Sequence, residues 1–302
     1  MGKKIFADLH NHTTASDGDF TPQQMIDLAK AKGIKVIGIT DHDTIKGLKT
    51  AVAFGKERDI EVVCGVEVSI CFKRINFVGT LHVLCYFPET CLHDHAFVEQ
   101  VNRILSNGRG DRLVMARVAE INRFFGPSGK TPVLKRDLTV EDISRLSPNA
   151  SRRHFAMALS DTLEISDNAM IHQIIGNDSP AYLPSGIDLT QAAQLMRIKG
   201  IVAVLAHPAA GSFPGKGHYK EVLPPVEVVE QLLGEFIAAG VRGVEVFYLG
   251  HTTEHQQRLL EWAKTHHLLV TGGSDCHDGD TRPFGVQGLS REEFDTFKQA
   301  WE

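Results

Sequence analysis

Cysteine is scarce, and its spacing carries no motif. Cys64, Cys71, Cys85, Cys91 and Cys276 contain no Cys-x-x-Cys, so neither a thiolate zinc ribbon nor a disulfide framework is expected. No apolar run reaches membrane-spanning length, and Lys3-Lys4-Ile5-Phe6 enters without a signal-peptide core, so a cytoplasmic enzyme is expected. Excess basic charge is also missing. Thirty-two Lys and Arg against 37 Asp and Glu give a formal charge of −5, which argues against bulk nucleic-acid binding while leaving room for a local basic pocket. Aromatic-basic interleaving, the mark of a single-strand track, is absent, and long nucleic acid is not an expected partner. There is no internal repeat or low-complexity tract, and 302 residues suit one large α/β domain with or without an insertion.

Short β-rich apolar runs alternate with helical patterns, which predicts an α/β fold. The runs are 5–9, 36–40, 61–69, 80–87, 201–206, 243–247 and 268–272. Thr21-Pro22-Gln23-Gln24 and Ser290-Arg291-Glu292-Glu293 are capping boxes, and Gly33 stops the helix that the first one opens. Only ten residues separate Ser69 from Thr80, too few for a comfortable helical crossover, so an antiparallel hairpin is expected there. That hairpin would set Glu67, late in its strand, and His82, early in its own, on one rim. Segment 94–188 is polar and helical, with turn clusters at 126–129 and 177–180. It is expected to form an inserted helical lid between the barrel segments 1–93 and 189–302.

What the chain has is imidazole and carboxylate at strand ends. His10 and His12 alternate around Asn11 after the first run, and Asp275 and His277 repeat that spacing after the last. Asp17, His42, Glu67, His82 and His207 complete nine candidate metal ligands. Nitrogen and carboxylate oxygen suit Zn, Mn and Fe, and nine such groups are too many for one ion. Two or three divalent ions sharing ligands are expected. Glu67 sits in an otherwise apolar strand, where a buried carboxylate needs a partner and a cation is the economical one. Asp8, Asp41 and Asp43 are expected to orient the ligand histidines rather than bind metal. Cys276 is expected to point away from the ions, because side chains alternate along an extended segment.

A second constellation, Ser151-Arg152-Arg153-His154, opens a helix in the insertion. Its guanidinium forks and imidazole suit a phosphate or other anion. The glycine-rich loop at 211–217 lacks P-loop spacing and is expected to be a rim loop rather than a nucleotide cradle.

In order along the chain, Asp8-Leu9-His10-Asn11-His12, Thr40-Asp41-His42-Asp43, Gly65-Val66-Glu67-Val68-Ser69, Ala206-His207-Pro208 and Gly273-Ser274-Asp275-Cys276-His277 resemble the motifs of the PHP (polymerase and histidinol phosphatase) superfamily. Within it the chain looks most like stand-alone phosphoesterases with a helical insertion, such as the nucleoside 3′,5′-bisphosphate phosphatases and the 5′-3′ exoribonuclease group. The resemblance implies a distorted seven-stranded (β/α) barrel and a trinuclear Mn, Fe or Zn site. It implies that His10, His12, Glu67 and Asp275 hold one ion, that Glu67, His82 and His207 hold a second, and that Asp17, His42 and His277 hold the third. It also implies that Arg152 and His154 meet substrate phosphates. Relatives read Gly-Arg-Pro-His there, so Arg153 adds a cation, and the stretch after His207 departs from their short basic sequence.

The expected activity is metal-dependent hydrolysis of phosphate monoesters of a small metabolite or nucleotide, for example a nucleoside 3′,5′-bisphosphate, by metal-activated hydroxide. Asp17, Glu67 and His277 are the catalytic candidates. The general acid is left open between Asp17, His277 and metal-bound water. The alternatives are a phosphodiesterase or exonuclease on short oligonucleotides, a metal-dependent C–N hydrolase, and an inactive binding module.

Overall fold

A computed structural model describes residues 4–75, 77–147, 149–215 and 223–299. Chain order sets out β1 (Ala7–Asp8), α1 (Pro22–Lys32), β2 (Val36–Ile39), α2 (Leu48–Arg58), β3 (Glu61–Lys73) and β4 (Val78–Phe87). Segment 94–188, between β4 and the rest of the sheet, holds α3 (His95–Leu105), α4 (Asp111–Phe125), α5 (Val140–Ser144), α6 (Arg152–Met157) and α7 (Asn168–Ile175). The chain then returns through α8 (Leu189–Met196), β5 (Val202–Leu205), α9 (Val226–Ala239), β6 (Val241–Phe247), α10 (Thr253–His266), β7 (Leu269–Gly272) and α11 (Arg291–Lys298). The anticipated caps form. The Thr21 side chain accepts from the Gln24 N–H, the Gln24 side chain accepts from the Thr21 N–H, and Gly33 ends α1 at φ 71°. Such a cap is worth about 1 kcal/mol.

The seven strands form one sheet in sequence order. All neighbours are parallel except β4, which runs antiparallel to both β3 and β5. The first and last strands meet through Leu9 N–H to Gly272 O at 3.2 Å and Asp275 N–H to His10 O at 2.8 Å, so the sheet curls toward closure. The approach is close enough that a Cβ on Gly273 would lie 2.4 Å from the His10 backbone nitrogen, which is why glycine precedes Ser274-Asp275. This is the mixed seven-stranded α/β architecture expected from the alternation of runs.

The 69–80 connection is the expected hairpin, but it is longer than the sequence suggests. β3 continues to Lys73, so Glu67, paired with Leu84, lies mid-strand rather than late. The extra length is stabilised from outside. Cys71 N–H donates to Ile187 O, and Thr80 Oγ1 donates to Ser185 O, both atoms belonging to the chain returning from the insertion. His82 pairs with Ser69, one step along the same face from Glu67.

Two apolar clusters matter for the site. The larger packs helices against the outer face of the sheet and includes Phe97, Val101, Ile104 and Leu105 of α3. The other is the insertion's own, built from Val114, Val118, Ile121, Phe125, Phe155, Leu159 and Ile174. Each exceeds what one amphipathic helix could bury alone, so both the barrel and the 111–181 segment have a rigid base for their polar faces. Among the described residues no helix is long and apolar enough to cross a membrane.

Candidate metal centre

Glu67 is the hub. Its Oε2 lies 3.3 Å from His10 Nε2, 3.1 Å from His12 Nε2 and 3.1 Å from His42 Nδ1. Its Oε1 lies 3.2 Å from His82 Nδ1 and 2.9 Å from His207 Nε2. The sixth imidazole, His277, faces Asp17 Oδ1 at 3.4 Å and Asp275 Oδ1 at 3.3 Å. All nine candidate ligands are buried. Their donor atoms form three overlapping groups, each within 4.8 Å: His10, His12, Glu67 and Asp275; His42, Glu67 and His82; and His12, Asp17, His42 and His277. His207 joins the second group through Glu67 and through His82 Nδ1, 3.4 Å from its Nε2.

These residues fit divalent ions. His12 Nδ1, Asp17 Oδ1, His42 Nδ1, Glu67 Oε2, Asp275 Oδ1 and His277 Nε2 are buried polar atoms that make no well-aligned hydrogen bond among the described residues, their near polar neighbours being other candidate ligands. Leaving one such atom unmade costs about 1–3 kcal/mol, and a cluster of them aimed inward calls for cations. The titrations agree. Burial would raise the Glu67 carboxyl, but the imidazoles of His42, His82 and His10 overcome it and hold it well below the usual carboxylate range. Burial outweighs the pull of Glu67 at these histidines, pushing His82 down to about 3 and His42 well down. At His12 burial opposes protonation, yet Asp275 and Glu67 lift it to about 9, so these carboxylates favour positive charge at that spot.

The backbone is strained where ligands are presented. His207 has φ 29° and Asp275 φ 51°, the left-handed region that non-glycine residues rarely occupy. Strain of that kind persists only where surrounding contacts enforce it. For His207 the enforcing groups are Glu245, whose Oε2 accepts its N–H at 2.8 Å, and His251, whose Nε2 accepts the Ala209 N–H at 3.2 Å.

Three expected orienting acids do something else. Asp8 accepts from Ser274 N–H and Oγ–H, Gly285 N–H and Asn11 Nδ2. Asp41 accepts from Thr13 N–H, Thr13 Oγ and Ser16 Oγ. Asp43 accepts from Ser69 N–H and pairs with Arg109. They fix the loops carrying the ligands, and none bonds a ligand imidazole. Asp41 directly precedes His42, so alternation turns it to the other side. Asp43 follows His42 at φ 49°, which aims it at Ser69. Asp8 is taken up by Ser274, Gly285 and Asn11. The carboxylate that does orient imidazole is Glu245, which the sequence reading missed. Its Oε1 lies 3.0 Å from His10 Nδ1 while its Oε2 holds the His207 backbone. The signal was present, since Glu245 stands in the apolar run Val244-Glu245-Val246 as Glu67 stands in its own.

We expect Glu245→Gln to weaken metal affinity about 10- to 100-fold, the usual effect of losing a group that orients a metal-bound histidine. Competition against a chromogenic chelator measures it, and an unchanged affinity would reduce Glu245 to packing.

A cavity of about 760 Å³ over this centre is lined by Asp17, His42 and His82 together with Arg109, Arg152, Arg153 and Arg282, and by the apolar Ile171, Ile175 and Tyr182. Arg152 donates from Nη2 to Asn177 Oδ1 at 2.7 Å and lies over the Tyr182 ring. Arg153 reaches the barrel loop, donating to Asp17 O at 2.9 Å and Asp19 Oδ1 at 2.8 Å. His154 is buried, and its Nδ1 accepts the Ser151 N–H in the α6 cap, which leaves one ring nitrogen for other use. Asn149 Nδ2 donates to His42 O at 2.6 Å, a second seam between insertion and centre. Cys276 is buried within the apolar cluster, turned from the ligands as expected. Of the glycine-rich loop, 211–215 are described and 216–217 lie outside the described residues.

The curled mixed sheet and its buried histidine-carboxylate centre define a class. Residues 8–136 match the PHP domain family. The match ends before His207, Asp275 and His277, which the fold returns to the same centre. Several relatives match over most of the chain. A 5'-3' exoribonuclease of Haemophilus influenzae is 28% identical, covering 92% of this chain and 91% of its own. A phosphoribosyl 1,2-cyclic phosphate 1,2-diphosphodiesterase of Eggerthella lenta is 28% identical, covering 90% and 94%. A 3',5'-nucleoside bisphosphate phosphatase of Chromobacterium violaceum is 28% identical, covering 89% and 86%. A solved structure from Bifidobacterium adolescentis, at 24% identity and TM-score 0.72, covers 96% of this chain and 94% of its own and shares the fold.

Proposed function

We propose that the chain is a phosphomonoesterase acting on a small phosphorylated metabolite or nucleotide, for example a nucleoside 3′,5′-bisphosphate. The chain is a metal-dependent hydrolase of phosphoric esters, and the finer reading is carried by one juxtaposition: a cage of nitrogen and carboxylate donors borders a cavity that four arginines also line. The three donor groups suit two or three ions of Mn, Fe or Zn. Such ions, when bound, lower the pKa of water and neutralise phosphoryl charge. Glu67 and Asp275 supply the carboxylate charge that assembles the cage. Asp17 and His277, together at its edge, are placed to hold or pass a proton to the leaving alcohol. Arg152 and His154 receive the substrate's phosphate from the insertion side, which makes segment 94–188 a lid. The exoribonuclease relative supports a second reading, hydrolysis of short oligonucleotides. The acidic net charge favours the smaller substrate.

Comparing a phosphomonoester panel, short oligonucleotides and cyclic amides in one manganese-supplemented assay tests the proposal. Phosphate release from monoesters well above the other two classes is expected, and preferential release of mononucleotides from oligonucleotides would overturn it.

Arg152→Ala is expected to spare metal content and to lower kcat/KM for phosphate esters. A rise in KM alone would place the guanidinium on a non-reacting group, and a fall in kcat would place it on the transferred phosphoryl. Unchanged kinetics on the best ester would return Arg152 to a structural role beside Asn177 and Tyr182. Arg153→Ala is not a silent control, because it releases the Asp17–Asp19 loop.

A further inference from the structure

One cation lining the cavity lies outside every motif named above. Arg109 lies in the irregular 106–110 turn between α3 and α4, only 9% exposed. Its guanidinium is held on two sides. Nε pairs with the Asp43 carboxylate, and Nη2 donates to Ser69 Oγ at 3.3 Å. Asp43 is itself fixed, with φ 49° and the Ser69 N–H on its Oδ1 at 2.8 Å. The third nitrogen, Nη1, is buried and has no hydrogen-bond partner among the described residues. The side chain lines the cavity together with Asp17, His42 and His82.

A brace between the 106–110 turn and β3 would need only the contacts to Asp43 and Ser69. It would not need a buried nitrogen left unmade at the edge of a metal cage, which is unfavourable unless something completes it. An arginine fork with one free arm, planar and pre-oriented, suits an oxyanion.

We propose that Arg109 is a phosphoryl-binding residue, its Nη1 donating to an oxygen of the substrate's phosphoryl group while Asp43 and Ser69 hold the guanidinium plane. The inference rests on the phosphoesterase reading for the identity of the anion. It makes Asp43 a positioning residue for the cation, which accounts for an acid next to His42 that touches no ligand.

The test is calorimetric binding of inorganic phosphate to the metal-reconstituted full chain, with Arg109→Lys and Arg109→Ala beside wild type, and metal content and Tm measured on each. Lysine keeps the charge facing Asp43 but has no second arm. Both variants are expected to keep the wild-type metal content, to bind phosphate roughly tenfold or more weakly, and to lose on the order of 10²-fold in kcat/KM on the best ester, as when one oxyanion donor is removed. Added guanidinium is expected to restore part of the activity of Arg109→Ala. If the alanine variant does not fold, the lysine variant decides. Wild-type phosphate affinity in the folded variants overturns the inference, as does a wild-type protein that binds no phosphate. Wild-type turnover reports separately on the broader reading. Ester hydrolysis indifferent to Arg109 sinks this inference alone, whereas Arg109-dependent phosphate binding without turnover of any ester sinks the phosphoesterase reading and keeps the anion site.

Discussion

Glu67→Gln is expected to lower kcat by about 10²-fold or more, the range seen when a major electrostatic group is removed from an active site. The geometry explains the size. One carboxylate lies within hydrogen-bond range of five imidazoles, from the ends of β1, β2 and β5 and from β4, and belongs to two of the three donor groups at once. Glutamine keeps the volume but removes a negative charge and turns one acceptor into a donor aimed at imidazole nitrogens. His42→Gln removes one neutral ligand at the edge of the cage and is expected to cost less. Parallel kinetics and elemental analysis on the two variants measure this. A Glu67→Gln enzyme with near-normal kcat and a full complement of metal would contradict the bridging role.

Removing the ions is expected to have the other large effect. Dialysis against a chelator should abolish phosphate release and lower Tm by several degrees, with both restored by manganese. The stability change follows from linkage: a site occupied at a hundredfold excess over its Kd contributes about 2.7 kcal/mol. In a chain of this size each kcal/mol moves Tm by roughly 2 °C. The buried donors then face one another instead of cations, and three enclosed carboxylates are left dependent on imidazolium partners. Calorimetry of stripped and reconstituted protein reads the shift. Identical melting would mean that the cage is stable without metal and that the orphaned atoms have found water.

Much of this was legible before any coordinates. Short hydrophobic runs bounded by turn signals locate strands well, and each of the seven runs falls on a strand of the sheet. The short 69–80 spacing forced the hairpin because a parallel crossover cannot be made in so few residues. Metal-ligand spacing is local too, so His10 with His12 and Asp275 with His277 could be read as pairs. What sequence did not yield depended on contacts distant along the chain. β3 outruns its apolar stretch because residues 185 and 187 bond to the hairpin, and nothing near Lys73 announces that. Asp8, Asp41 and Asp43 stand where histidine-orienting acids would, but they bond to Ser274, Thr13 and Ser69, groups distant along the chain. Glu245 could have been found by the argument that found Glu67, a lone carboxylate in a buried strand. Arg109 could not, since the 106–110 turn gives no local reason for a guanidinium to lie against the centre.

Elemental analysis of the reconstituted wild-type chain, after removal of loosely held metal, tests the central claim most directly. Nine buried donors in three overlapping groups predict two or three tightly bound equivalents of Mn, Fe or Zn per chain. One equivalent or fewer would contradict the multinuclear centre.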